Sequence, residues 1–244
     1  MYASQQAALA ELREKVRRLQ AGCRPAMGLC PTGLPPLDRA LGGGLAAASL
    51  HEFLAPGGQA PIRTLALRMA MRGLTAGDPH GQRLRADRWL MYLDTLGDFY
   101  PPAAARLGLP LERLLVIRVR RLTDALWTCE QALRCPAVGV VIATVRAIDP
   151  YASRRLQLAA ETGGGLGILL RHEEARDITF AASRVRFTPR PSPAGFWRTQ
   201  VEVLKLREGR PGGPFVLELA HDGCPRQAPV ALPEQSARAT SAAV

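Results

Sequence analysis

The chain has 244 residues, 47% of them hydrophobic, with a formal net charge of +11 at pH 7 and a pI near 10.4. That length and apolar content support a real core, enough for one large α/β domain with extensions. No apolar run is long enough to span a bilayer, and MYASQQAALAELREK has no secretory hydrophobic region, so a cytoplasmic protein with no membrane partner is expected. The five cysteines (Cys23, Cys30, Cys129, Cys135, Cys224) form no CxxC and no metal spacing, which reads as reduced thiols. Only Lys15 and Lys205 are lysines among the 32 basic residues. A GC-biased coding sequence accounts for that preference, but the net positive charge points to an acidic partner, DNA first.

Taken in order, Ala7 to Gln20 predicts an amphipathic helix, with Leu9, Leu12, Val16 and Leu19 on one face and charged residues on the other. Residues 1–22 thus form an arm that packs either on a partner or on the domain. A Pro/Gly linker is expected over 23–33, a core domain over 34–221 and a flexible basic tail over 222–244. Leu34, Leu37, Leu41 and Leu45 anchor the start of the core. Leu50, Phe53 and Leu54 mark a short buried strand, and Thr64 to Gly73 a helix. Arg88 to Leu93 is a near-continuous apolar run of the kind that forms a parallel strand buried on both faces. Asp94 ends it, at the place where open α/β sheets set their ligands. A short helix, a strand (Leu114–Val119), a helix (Leu122–Leu133), a strand (Val138–Thr144), a helix (Tyr151–Glu161) and a strand (Gly167–Arg171) follow. The last part predicts three strands, Ile178–Phe187, Phe196–Leu206 and Pro214–Ala220, with a hairpin through 208–213. The expected fold is α/β: a mainly parallel, helix-flanked sheet extended by an antiparallel β-meander.

The stretch LHEFLAPGGQAPIRT has the strand, glycine turn and helix layout of a phosphate-binding loop. A working loop reads GxxxxGK[ST]. With Ala55 in the first position, Pro61 and Ile62 stand for the lysine and the hydroxyl. With Gly57 first, Arg63 replaces the lysine and only Thr64 fits. Neither register gives a full site. Pro56, Gly57, Gly58, Arg63, Thr64 and Asp94 make up this degenerate nucleotide site. Either it is emptied and filled by Pro61, Ile62 and Leu96, or Arg63, Thr64 and the helix N-terminus hold a phosphate.

Residues 32 to 220 resemble the core of the RecA-type recombinase family. The segments carrying the likeness are TGLPPLDRALGGGL, HEFLAPGG, WLMYLDTLGDFYPPAAARLGLPLERLLVIR and LTDALWTCEQALRCPAVGVVIATVRAI. Within that superfamily the chain looks like the ImuA branch, through LAELREKVRRL, GLPPLDRALGGGL–HEF and a basic tail. The resemblance implies a RecA-like P-loop fold. It also implies an accessory role in damage-induced mutagenesis, within the SOS response. The implied partners are ImuB, an inactive Y-family polymerase relative, and an error-prone replicative-type polymerase.

Hydrolysis in that family needs a phosphate-gripping lysine, metal-binding carboxylates and a water-activating glutamate. Here Leu96 takes the glutamate position, and Ala143 and Thr144 stand where the strand-end aspartate belongs. Asp149 lies too far along. We therefore expect no catalytic residue, no metal site and no ATP or Mg²⁺ cofactor. Arg118, Arg120, Arg121, Arg154, Arg155, Arg184 and Arg186 are the candidate DNA contacts, the last two as a phosphate track on one strand face. Leu9, Leu12, Val16, Leu19, Arg226 and Arg238 are the candidate partner contacts. Two alternatives stay open: a weak DNA-dependent ATPase using Arg63, Thr64 and Asp94, and a regulator of RecA recombinase filaments acting through the arm.

Overall fold

The computed structural model describes residues 28–56, 62–75, 88–192 and 196–220. The arm with Leu9, Leu12, Val16 and Leu19, the tail with Arg226 and Arg238, and Gly57, Gly58 and Pro61 lie outside the described residues.

The strands are β1 (Leu29–Cys30), β2 (Leu45–Ala46), β3 (Leu50–Ala55), β4 (Trp89–Asp94), β5 (Leu114–Arg118), β6 (Val138–Thr144), β7 (Leu166–His172), β8 (Ser183–Arg190), β9 (Phe196–Leu206) and β10 (Phe215–Ala220). The helices are α1 (Pro35–Ala40), α2 (Ile62–Thr75), α3 (Pro101–Arg106), α4 (Leu122–Arg134) and α5 (Pro150–Gly163). Eight strands form one sheet in the order β10-β9-β8-β3-β7-β6-β4-β5. Six of them, β8 to β5 in that order, pair parallel, and β9 and β10 add antiparallel. The meander therefore joins the core through its first strand, which lies parallel to β3.

Period-2 geometry explains why the central strands are apolar throughout. Leu90, Tyr92, Val140 and Ile142 point to one face, with α1, α2, α3 and the inner side of the meander. Met91, Leu93, Val141 and Ala143 point to the other, with α4 and α5. Helix ends follow local chemistry. Asp149 caps α5 by accepting from the Ala152 N–H at 2.7 Å, and Gly164 closes it with φ +70, a left-handed conformation that glycine adopts without strain.

Two expectations change. Residues 178–182 are not strand. The Thr179 and Phe180 carbonyls and the Phe180 N–H bond to the side chains of Lys205, Arg207 and Ser153, and only Ala182 makes backbone bonds, to Leu50 and Arg207. Leu29–Cys30, inside the expected linker, is strand β1, paired antiparallel with β2 in a small second sheet, and Cys30 is buried in the core.

Candidate functional site

The C-terminal ends of β3, β4, β6 and β7 converge on an open cleft of about 1000 Å³. Ala55, Pro56, Ile62, Arg63, Thr64, Leu96, Asp98, Thr144, Arg146, His172, Glu174 and Trp197 are among the residues lining it. The strands are parallel because each crossover returns the chain to their starting end, so their C-terminal ends lie together here. Ile62 and Leu96, two of the three residues named as possible fillers, line the cleft, Leu96 half exposed; the third, Pro61, lies outside the described residues.

Asp94, predicted at the end of its strand, is buried there. Its Oδ1 accepts from the Gly97 N–H at 2.8 Å and the Asp98 N–H at 3.1 Å, and its Oδ2 from the Phe99 N–H at 3.4 Å. Arg118 Nε lies 3.5 Å from Oδ2. The carboxylate is thus engaged in turning the chain after β4. The hydroxyl of the next residue, Thr95, donates to the Thr144 carbonyl at 3.0 Å and ties the ends of β4 and β6 together. Ala143 sits fully inside the core, and Thr144, the next residue, lines the cleft. In the first turn of α2, Arg63 Nη1 donates to Asp98 Oδ2 at 2.7 Å, with both side chains well exposed at 37% and 47%. Pro56, Arg63, Thr64 and Asp94 are therefore gathered at one end of the sheet, with Thr64 and Arg63 opening the helix.

Below the cleft lies a charge network that the sequence did not announce. Glu52, fully buried on β3, accepts from Arg184 Nε at 2.6 Å, Arg171 Nη1 at 3.2 Å and the Thr179 hydroxyl at 3.0 Å. Arg171 also donates to Asp177 at 2.8 Å, and Arg184 to the Asp177 carbonyl at 3.0 Å. Lys205 bonds the Thr179 carbonyl, and burial, then the neighbouring Arg207, lowers its pKa. The network fastens the 173–182 loop to the sheet. It also corrects one expectation: Arg184 is a buried partner of Glu52, and Arg186 pairs with Glu202 at 3.2 Å, so the two form no exposed phosphate track. The reason is topological, since β8 lies against β3 in the interior of the sheet and Glu52 stands in register with Arg184.

Close by, His51 is buried between Ser183 Oγ (2.8 Å from Nδ1) and the Ala46 carbonyl (2.9 Å from Nε2). Burial pushes its pKa down to about 4, against a smaller opposing pull from the Ala46 carbonyl. Among the described residues no group of three or more His, Cys, Asp or Glu side chains could hold a metal ion. No described helix is long and apolar enough to cross a membrane. Arg118, Arg120, Arg121, Arg154 and Arg155 are all exposed.

Fold and cleft together define a RecA-like α/β domain. The crystal structure of the RadB recombinase matches it with a TM-score of 0.59 and 17% sequence identity, over 80% of this chain and 98% of that one. No family model matches the chain. Protein ImuA of Caulobacter vibrioides strain NA1000 / CB15N is 30% identical over 230 residues, spanning 84% of this chain and 89% of the relative, and ImuA of strain ATCC 19089 gives the same figures. The chain belongs to the ImuA family.

Proposed function

We propose that this chain is a RecA-fold accessory factor in damage-induced translesion DNA synthesis, working through binding surfaces and not through nucleotide hydrolysis. The observation that carries the reading is the state of Asp94. Both of its oxygens accept N–H groups of its own turn, which leaves it a structural carboxylate. Leu96 on the same turn has no proton-accepting group, and the fully buried Ala143 supplies no metal ligand from β6. Membership of the ImuA family supports an ImuB-type inactive Y-family polymerase and an error-prone replicative-type polymerase as partners. The exposed arginines at 118, 120, 121, 154 and 155 support contact with DNA phosphates.

The test is genetic. Cells carrying Asp94→Asn or Arg63→Ala keep the wild-type frequency of damage-induced mutation, whereas deletion of the gene lowers it. Loss of mutagenesis in both point variants at normal protein level would move the work into the cleft. The open volume beside Arg63 favours one second reading, a weak DNA-dependent ATPase.

A further inference from the structure

The chain leaves the sheet beside the cleft. β8 runs parallel to β3, β9 antiparallel to β8 and β10 antiparallel to β9, so β10 points the way β3 does and ends on the cleft side. Its last residues, Leu219 and Ala220, pair with Trp197 and Phe196. Trp197 is a wall of the cleft and is 38% exposed. Residues 221–244 therefore start about one strand spacing, roughly 4.8 Å, from that wall.

The cleft offers an apolar wall and one unmet charge. Ile62, Leu96, Ala175 and Trp197 supply the wall. Arg63 pairs with Asp98 at 2.7 Å, and His172 Nδ1 lies 3.6 Å from the Glu174 carboxylate. Arg146, just past β6, is exposed, and no carboxylate pairs with it among the described residues. From Trp197 on β9 to Arg146 the sheet runs β9-β8-β3-β7-β6, four strand spacings or roughly 19 Å.

Within 221–244 one run has matching chemistry: Ala228, Pro229, Val230, Ala231, Leu232, Pro233 and Glu234. The two prolines fix their own φ and push Ala228 and Leu232, which precede them, toward extended backbone. At the polyproline II rise of about 3.1 Å per residue, Ala228 to Glu234 spans about 19 Å. Val230 and Leu232 are apolar, and Glu234 is the acidic residue of the run.

We propose that the cleft is the docking groove for this chain's own residues 228–234, laid extended from Trp197 to Arg146. Val230 and Leu232 face the apolar wall, and the Glu234 carboxylate accepts from the Arg146 guanidinium. Aromatic-lined grooves take segments of this kind because a proline-stiffened chain has little freedom left to lose. The tether holds the segment at an effective concentration of about a millimolar, which favours it over a segment from another molecule. The inference rests on the reading that the cleft does not turn over nucleotide.

The test is hydrogen–deuterium exchange on the full chain, read over 94–98, 144–148 and 196–199. The variants are Leu232→Asp, Arg146→Glu and the exchanged pair Arg146→Glu/Glu234→Arg. In the two single variants these segments exchange about tenfold faster than in wild type, and the exchanged pair regains most of the protection. Helix α4, on the other face of the sheet from α2, keeps its wild-type rate in all three, which shows the fold intact. Protection that survives dilution of the protein assigns the docked segment to the same chain. Protection that fades on dilution puts a second copy's segment in the cleft and overturns that assignment. If both single variants exchange like wild type in the cleft, the inference falls. If the exchanged pair stays as fast as Arg146→Glu, the Glu234–Arg146 contact falls, and with it the proposed course of the segment. ATP turnover by the same proteins separates the two readings. Background rates confine a failure to this inference, whereas turnover that appears in Leu232→Asp overturns the proposed function.

Discussion

Two arginine–carboxylate arrangements lie only a few residues apart along this sheet, and they behave oppositely. Under β3, β7 and β8, Glu52, Arg171 and Arg184 are dry, with the Glu52 side chain fully buried and Arg171 at 1% exposure. At the cleft, Arg63 and Asp98 meet at 2.7 Å in contact with water. Charges removed from solvent depend on one another, because losing one partner strands the rest. Charges at the surface contribute little, because water screens them and the side chains give up freedom to pair. The contrast teaches where this fold has invested its polar chemistry. The buried cluster fixes the 173–182 loop, while the Arg63–Asp98 pair at the cleft stands in contact with water.

The largest effect should come from breaking the buried side. Glu52→Ala leaves the buried Arg184 without its carboxylate and Arg171 with Asp177 alone, and should destabilise the fold by roughly 3–5 kcal/mol in urea unfolding. A loss under 1 kcal/mol would show that water enters the cluster and would erase the contrast.

The neighbouring His51 sharpens the same point through pH. Its pKa is about 4 in the folded chain, below the ordinary 6.5. Between those values the unfolded chain binds the proton and the folded chain does not. The His51 contribution is therefore complete above pH 6.5 and is lost as pH falls toward 4. The expected loss is about 3 kcal/mol across that window, and His51→Asn should flatten it. The comparison of the two stability curves is cleanest between pH 6.5 and 5, before the carboxylates titrate. The smallest effect belongs to the cleft, where Arg63→Ala should change stability by about 0–1 kcal/mol.

Much of the fold was legible because the physics is local. VGVVIAT and WLMYLD are apolar on both faces, which only a strand covered by helices tolerates. The strand expected over 178–182 failed for the same reason in reverse. DITFAA has strand-like composition, but side chains from distant elements bond the backbone of its middle, Thr179 and Phe180. Arg184 and Arg186 show a second limit. Alternation tells which residues share a side of a strand, not what covers them, and Glu52 lies 132 positions from Arg184 along the chain. Strands β1 and β2, two residues each, are too short for any periodicity to reveal. At the cleft, the placement of Asp94 at the end of its strand was readable from the apolar run before it. The open space depends on how four strand ends meet, whereas the hydrogen bonds that engage Asp94 are local, from N–H groups three to five residues on.

The central claim is that this RecA-like scaffold works without turning over nucleotide. Its most direct test is steady-state ATP hydrolysis by the purified full chain with Mg²⁺, in the presence and absence of single-stranded DNA, beside Arg63→Ala and Asp94→Asn. The account predicts rates equal to the buffer background for all three proteins under both conditions. A DNA-stimulated rate in the wild type that disappears in Asp94→Asn, with the fold intact, would contradict it.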